Sequence, residues 1–176
     1  DLKPINKFCD VNFDLWEKSL KINCISSLRI LNKILKIKKR KKRNIIFFAG
    51  GGTNNATKYY SSYTLSKIFL MKFVELLDFE EKYINTCILG PGWINTKIHS
   101  STIQSKIKNF ENKKKTIRVL KRDDTNKLSK LVKCIDWIIN NMKVITGRNL
   151  SLDYDNWGSR TLIKKLKKNK NIYKLR

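Results

Sequence analysis

Asn44-Ile45-Ile46-Phe47-Phe48-Ala49-Gly50-Gly51-Gly52 is a short apolar run that stops at three glycines. The basic stretch Lys38–Arg43 bounds it in front. A run this short, closed by glycine, reads as a parallel strand buried on both faces. Ahead of it, Leu20, Cys24, Leu28, Leu31 and Leu35 recur at helical spacing, and Asp14 can cap, so 15–35 reads as a helix with one apolar stripe. Behind it, Tyr63–Leu77 is apolar nearly all round and reads as a largely buried helix. Tyr83–Leu89 reads as a second strand, stopped by Gly90-Pro91-Gly92, and Val144–Leu152, with Gly147, as a third. Leu128–Asn141 is a further helix. Residues 1–11 form an extended lead-in, because Pro4 keeps Lys3 out of helical geometry. The Lys-rich stretch up to Lys121 is expected to be mobile with one helix, and Gly158–Arg176 to be a basic tail of helical character.

Helices alternating with strands imply α/β architecture, a parallel sheet and right-handed crossovers. Three strands are few for such a sheet, so its other half is expected to be missing from this chain. The 176 residues suit one domain, divided as a main part at 1–158 and a tail at 159–176.

Composition excludes several classes. Lys and Arg number 39 against 14 acidic residues, a net charge of +25, yet Ile and Asn are abundant too. This points to a compositional bias and a solvated basic surface ahead of a nucleic-acid footprint. The four cysteines are scattered and His99 is the sole histidine, so no metal site is expected and the thiols are expected reduced. No apolar run is long enough to cross a bilayer, no secretory signal opens the chain, and a cytoplasmic location is expected.

Tyr63-Thr64-Leu65-Ser66-Lys67 carries the chemistry. A phenol and an ammonium four residues apart share one helix face, and a nearby cation favours the phenolate. A tyrosine depressed in this way can exchange a proton at working pH. Alone, the pair also fits a half-buried tyrosine beside a snorkelling lysine.

The surrounding order resembles the short-chain dehydrogenases/reductases, whose hallmark is Tyr-x-x-x-Lys. Asn23 lies 40 residues before Tyr63, where that family keeps its catalytic asparagine. Ile45–Gly50 looks like the family's fifth strand, and Gly90-Pro91-Gly92-Trp93-Ile94-Asn95-Thr96 resembles the Pro-Gly-x-x-x-Thr segment after its sixth. Ile145-Thr146-Gly147-Arg148 and Asp155-Asn156-Trp157 resemble the last strand and its loop. The resemblance implies a partial Rossmann-like (doubly wound) parallel sheet flanked by helices. It also implies an NAD- or NADP-dependent oxidoreductase interconverting an alcohol and a carbonyl. In it Tyr63 would be the acid/base, Lys67 would bind the nicotinamide ribose and lower the Tyr63 pKa, and Asn23 would hold a relay water. Thr96, with the Pro91-Gly92 backbone, would fix the carboxamide. Trp93 and His99 stand in the segment that contacts substrate in the family, although an exposed histidine and a packing tryptophan are the plainer readings. A homo-oligomer through the helices at 15–35 and 63–77 is implied, with no membrane partner.

Two departures follow from the same resemblance. The family serine belongs at Gly50 or Ala49, which have no hydroxyl; Thr53, Ser61 or Ser62 are the candidate substitutes. Losing one oriented donor at a developing oxyanion costs about 10²–10³ in rate. No glycine-rich pyrophosphate turn is present, so that half is expected ahead of Asp1, and this chain alone is expected to bind the cofactor poorly. The triple glycine and Asn171-Ile172-Tyr173-Lys174-Leu175-Arg176 resemble members of cell-surface sugar biosynthesis, implying a sugar-like substrate. The rival readings are a catalytically impaired protein on the same scaffold and a basic nucleic-acid-binding domain.

Overall fold

The computed structural model describes residues 1–37, 42–108, 110–121 and 125–175. The basic run at 38–41 therefore lies outside the described residues. Three parallel strands form one sheet in the order β1 (Arg43–Phe48), β2 (Ile84–Gly90), β3 (Arg148–Ser151). Phe48 stands opposite Leu89, and Gly90 opposite Ser151, so the strand ends are level. β2 lies between the other two and is buried from Ile84 to Leu89.

The pleat divides the core. Cys87 and Leu89 project to one face, against Cys134, Ile138, Leu162 and Leu166 of α6 (Thr125–Asn140) and α8 (Arg160–Lys168). Ile84 and Ile88 project to the other, against α2 (Ser26–Lys36) and α3 (Ser61–Glu80). The expected stripe of Leu20, Cys24, Leu28, Leu31 and Leu35 is the one packed here.

Several boundaries move. The first helix begins earlier, as α1 (Phe13–Leu20), where Asn12 rather than Asp14 caps by accepting from the Leu15 N–H at 3.0 Å. Between α1 and α2, Lys21–Ile25 winds as a π turn. The Lys-rich region holds two helices instead of one, α4 (Ser100–Ile103) and α5 (Glu111–Leu120). Val144 and Ile145, expected in the third strand, instead close α7 (Met142–Ile145), because Ile145 is needed in the core under α6.

Gly147 then makes the corner into β3. Its φ is +74°, and a Cβ there would lie 2.9 Å from Asp78 Cγ, so glycine is required twice over. Thr146 Oγ1 donates to Asp78 and accepts from the Thr86 N–H. Arg148, only 4% exposed, donates to the carbonyls of Val144, Leu166 (2.8 Å) and Asn169 (3.0 Å). That fork joins β3 to the last turn of α8, whose orphan carbonyls it satisfies. The final residues return to the sheet and to α3: Asn149 N–H donates to Tyr173 O at 2.7 Å, and Leu175 N–H to Glu75.

No helix among the described residues is long and apolar enough to cross a membrane, and no group of three metal-ligating side chains gathers among them. The four thiols are free.

Candidate active site

The C-terminal ends of β1 and β2 lie side by side, Ala49 N–H donating to Leu89 O at 2.9 Å. The chain leaves them through Gly50 and Pro91. Starting α3 at Ser61 places Tyr63 and Lys67 one turn apart on the face that meets the end of β1. Lys67 Nζ donates to Phe48 O at 3.0 Å and stands 5.6 Å from the centre of the Tyr63 ring. The Tyr63 ring lies against Gly50: a Cβ on Gly50 would be 2.6 Å from Tyr63 Cζ. The phenol thus occupies the volume that a serine at this position would need. Among the described residues no hydrogen bond reaches its hydroxyl.

Burial sets the electrostatics here. It pushes the Tyr63 phenol above its ordinary value and the Lys67 ammonium below its own. This reverses the direction expected from the sequence. The ammonium is held on the Phe48 carbonyl, and loss of water around the phenol sets the direction of its shift.

Asn23 sits in the π turn, a distortion that recurs at functional sites. Side chains add bonds to carbonyls of the turn: Cys24 Sγ donates to Leu20 O at 3.0 Å, and Ser26 Oγ to Lys21 O at 2.8 Å, which also accepts the Ser26 N–H. Asn23 Nδ2 donates to Ser19 Oγ at 3.2 Å and to Asp1 O at 2.7 Å, and its Oδ1 accepts from the Asp1 amino group at 2.6 Å. Lys67 influences the titration of Cys24, which puts the turn beside that ammonium.

After β2, Gly92 adopts φ +68° beneath an ion pair between Lys127 and Asp153 (3.2 Å). A Cβ on Gly92 would be 2.9 Å from Asp153 Cγ and 3.0 Å from Lys127 Nζ. Thr96 is exposed at the entry to a 3-10 turn over Lys97–His99. His99 is half-buried instead of exposed: its ring stacks on Trp93 (centroids 5.2 Å apart, planes at 11°), and Nε2 is 2.8 Å from Ile94 O. Lys115 Nζ lies 5.2 Å over the Trp93 ring.

The sequence-predicted residues fall into two groups. Tyr63, Lys67, Gly50, Thr53 and the Asn23 turn gather at the end of β1, and Pro91, Gly92, Trp93, Thr96 and His99 follow the end of β2. The substitute hydroxyls are committed elsewhere or enclosed. Thr53 Oγ1 donates to Gly50 O at 3.4 Å, Ser61 Oγ accepts from Trp16 Nε1 at 2.9 Å, and Ser62 Oγ is buried without a partner among the described residues. Sequence reasoning missed Ser19, Cys24 and Ser26, which brace the π turn, and Lys127 with Asp153, which bracket Gly92. Only Ser19 carries a signal, its i,i+4 spacing to Asn23.

Residues 2–107 match the model of the short chain dehydrogenase family. The chain belongs to that family. Comparison with curated proteins gave no match. Among solved structures, a short-chain dehydrogenase/reductase from Saccharomyces cerevisiae aligns with TM-score 0.73 at 21% identity, over 89% of this chain and 63% of its own. A short chain dehydrogenase from Salmonella enterica serovar Typhi aligns at 0.67 and 14% identity, over 87% of this chain and 59% of its own. One from Shigella flexneri 2a, solved with NADP, aligns at 0.57 and 13%, over 86% of this chain and 59% of its own. These likenesses show the Rossmann-like fold. This short-chain dehydrogenase chain spans about three-fifths of the structures it matches.

Proposed function

We propose that the chain forms the nicotinamide side of an NAD(P)-dependent oxidoreductase that interconverts an alcohol and a carbonyl on a small, sugar-like molecule. The observation that carries this reading is the Tyr63 hydroxyl, without a hydrogen-bond partner among the described residues and one helical turn from Lys67, at the strand ends where ligands collect in doubly wound sheets. The bound nicotinamide would supply the hydride. Tyr63 would give or take the proton at its Oη, Lys67 would hold ribose hydroxyls, and Thr96 with the Gly92 backbone would hold the carboxamide. Asn23 would anchor the proton path from the π turn.

The residues present fit one end of the cofactor only. Open space lies over Gly51, and the phenol and ammonium offer the ribose both donor and acceptor chemistry. The chain has no glycine-rich turn for the pyrophosphate. β1 has no partner on its second edge among the described residues, and Leu128, Val132 and Ile139 of α6 leave an apolar flank exposed. Both features support a further nucleotide-binding half alongside. The reading is tested by calorimetric titration of this chain: nicotinamide mononucleotide and NADPH should bind with similar weakness, and Lys67→Gln should remove both. Micromolar NADPH binding that Lys67→Gln leaves intact overturns it.

Gly50 favours a second reading, a catalytically weakened protein on the same scaffold, because no side chain there donates to a substrate oxygen. Cofactor binding without turnover separates the two.

We also place the protein in the cytoplasm and propose that it self-associates. Ile30 and Ile34 of α2 and Leu65, Phe69 and Leu76 of α3 are exposed, on helix faces that no other element covers among the described residues. Light scattering is expected to show a dimer or larger, and Phe69→Asp to yield monomer; a monomeric parent defeats the idea.

A further inference from the structure

At the other end of the sheet, where the strands begin, a cavity of about 510 Å³ opens. Lys42 precedes β1, Lys143 lies on α7 and Lys167 on α8, and all three line it together with Asn44, Asn85 and Asn141. From Asn44 to Gly50 is six residues, about 20 Å of strand at the usual rise, so this is a separate place from Tyr63.

Asn85 is the unexpected member. It is 5% exposed, and it lies in the most enclosed strand on the face shared by Cys87 and Leu89. A buried carboxamide costs stability unless its polar atoms are matched. Its Nδ2 donates to Asn44 Oδ1 at 2.9 Å across the β1–β2 ladder, in register. Asn141 is held by its own Nδ2 on Trp137 O at 2.8 Å. The three lysines are exposed, and they share the lining with these hydrogen-bonded carboxamides. No carboxylate lines the cavity among the described residues, and none of the three lysines is in an ion pair there.

We propose that this cavity binds a phosphate group carried on a small molecule. Lysines that line one concave surface without acids raise the positive potential there, which suits a multiply charged anion. Ammonium groups suit phosphate as point charges, while the amides offer directional donors to the rest of the ligand. The volume falls in the range of small-molecule sites. The net charge of +25 is spread over the whole chain and does not distinguish this place; the concavity and the buried amide pair do.

The test is calorimetric titration of the whole chain with inorganic pyrophosphate and with adenosine monophosphate at physiological salt, in the absence of nicotinamide. The double variant Lys143→Gln/Lys167→Gln should weaken binding by about tenfold or more, as expected when charge-assisted contacts are removed. Lys130→Gln/Lys133→Gln, an equal charge change on the exposed face of α6, should leave it within about twofold. Asn85→Asp, which puts a carboxylate into the cavity at constant volume, should abolish binding, with circular dichroism unchanged as the check on folding. Equal losses in the two lysine pairs, or no saturable binding, overturn the proposal. So does tighter binding of a double-stranded oligonucleotide that both pairs weaken alike, which would mark a nucleic-acid face. None of these readouts depends on hydride transfer.

Discussion

On the proposed function, replacing Tyr63 with phenylalanine is expected to lower hydride transfer to or from NAD(P) by about 10²–10⁴-fold, the usual share of a positioned acid or base. The substitution removes only the hydroxyl. The ring would keep its seat against Gly50, and Lys67 its bond to the Phe48 carbonyl, so cofactor affinity should stay within about threefold. The pH dependence carries a second signature. Burial raises the phenol pKa, so Tyr63 is protonated at neutral pH, ready to donate in carbonyl reduction. Reduction should therefore be flat around neutrality and fall only above the ordinary tyrosine value of about 10. Alcohol oxidation, which needs the phenolate, should rise over the same alkaline range. Stopped-flow rates of nicotinamide absorbance across pH would read both. A rate for the Tyr63→Phe variant equal to the parent's removes Tyr63 from the chemistry altogether.

Arg148→Met is expected to destabilise the fold by about 3 kcal/mol, the cost of stripping a charged fork from several buried carbonyls. Methionine keeps most of the side-chain volume and leaves the carbonyls of Val144, Leu166 and Asn169 without their donor. A buried ion pair can sometimes be exchanged for apolar groups without loss, but here the acceptors are main-chain atoms that cannot be exchanged. Arg148→Lys should lose nearly as much, because one ammonium cannot span carbonyls contributed by α7 and by α8 with its C-cap. Chemical denaturation gives the number directly, and the melting temperature should drop by about 6–12 °C for a chain of this size. A change below about 1 kcal/mol would mean that water takes over the fork's role.

The strands and long helices are legible in the sequence because their apolar spacing is set by burial, and burial dominates in α3 and β2. The Tyr63–Lys67 pair is legible for the same reason, since one helical turn fixes its geometry. Other features depend on contacts distant in sequence. Val144 and Ile145 are β-branched, yet packing beneath α6 winds them into α7. The π turn around Asn23 has no period of its own, and side chains donate to two carbonyls at it. The direction of the Tyr63 pKa comes out reversed because spacing shows which charge is near, while burial depends on the closure of the glycine turn over the ring.

The margin of β1 that has no partner among the described residues has a consequence for how the chain behaves in solution. Ile45-Ile46-Phe47-Phe48 is a proline-free apolar window whose main-chain groups are offered to any extended segment that arrives. Basic residues crowd the sequence immediately before it, and charges flanking such a window disfavour the zipping together of two strands. Neutralising that stretch, or raising the salt enough to screen it, should turn a dispersed chain into fibres long before the fold itself gives way.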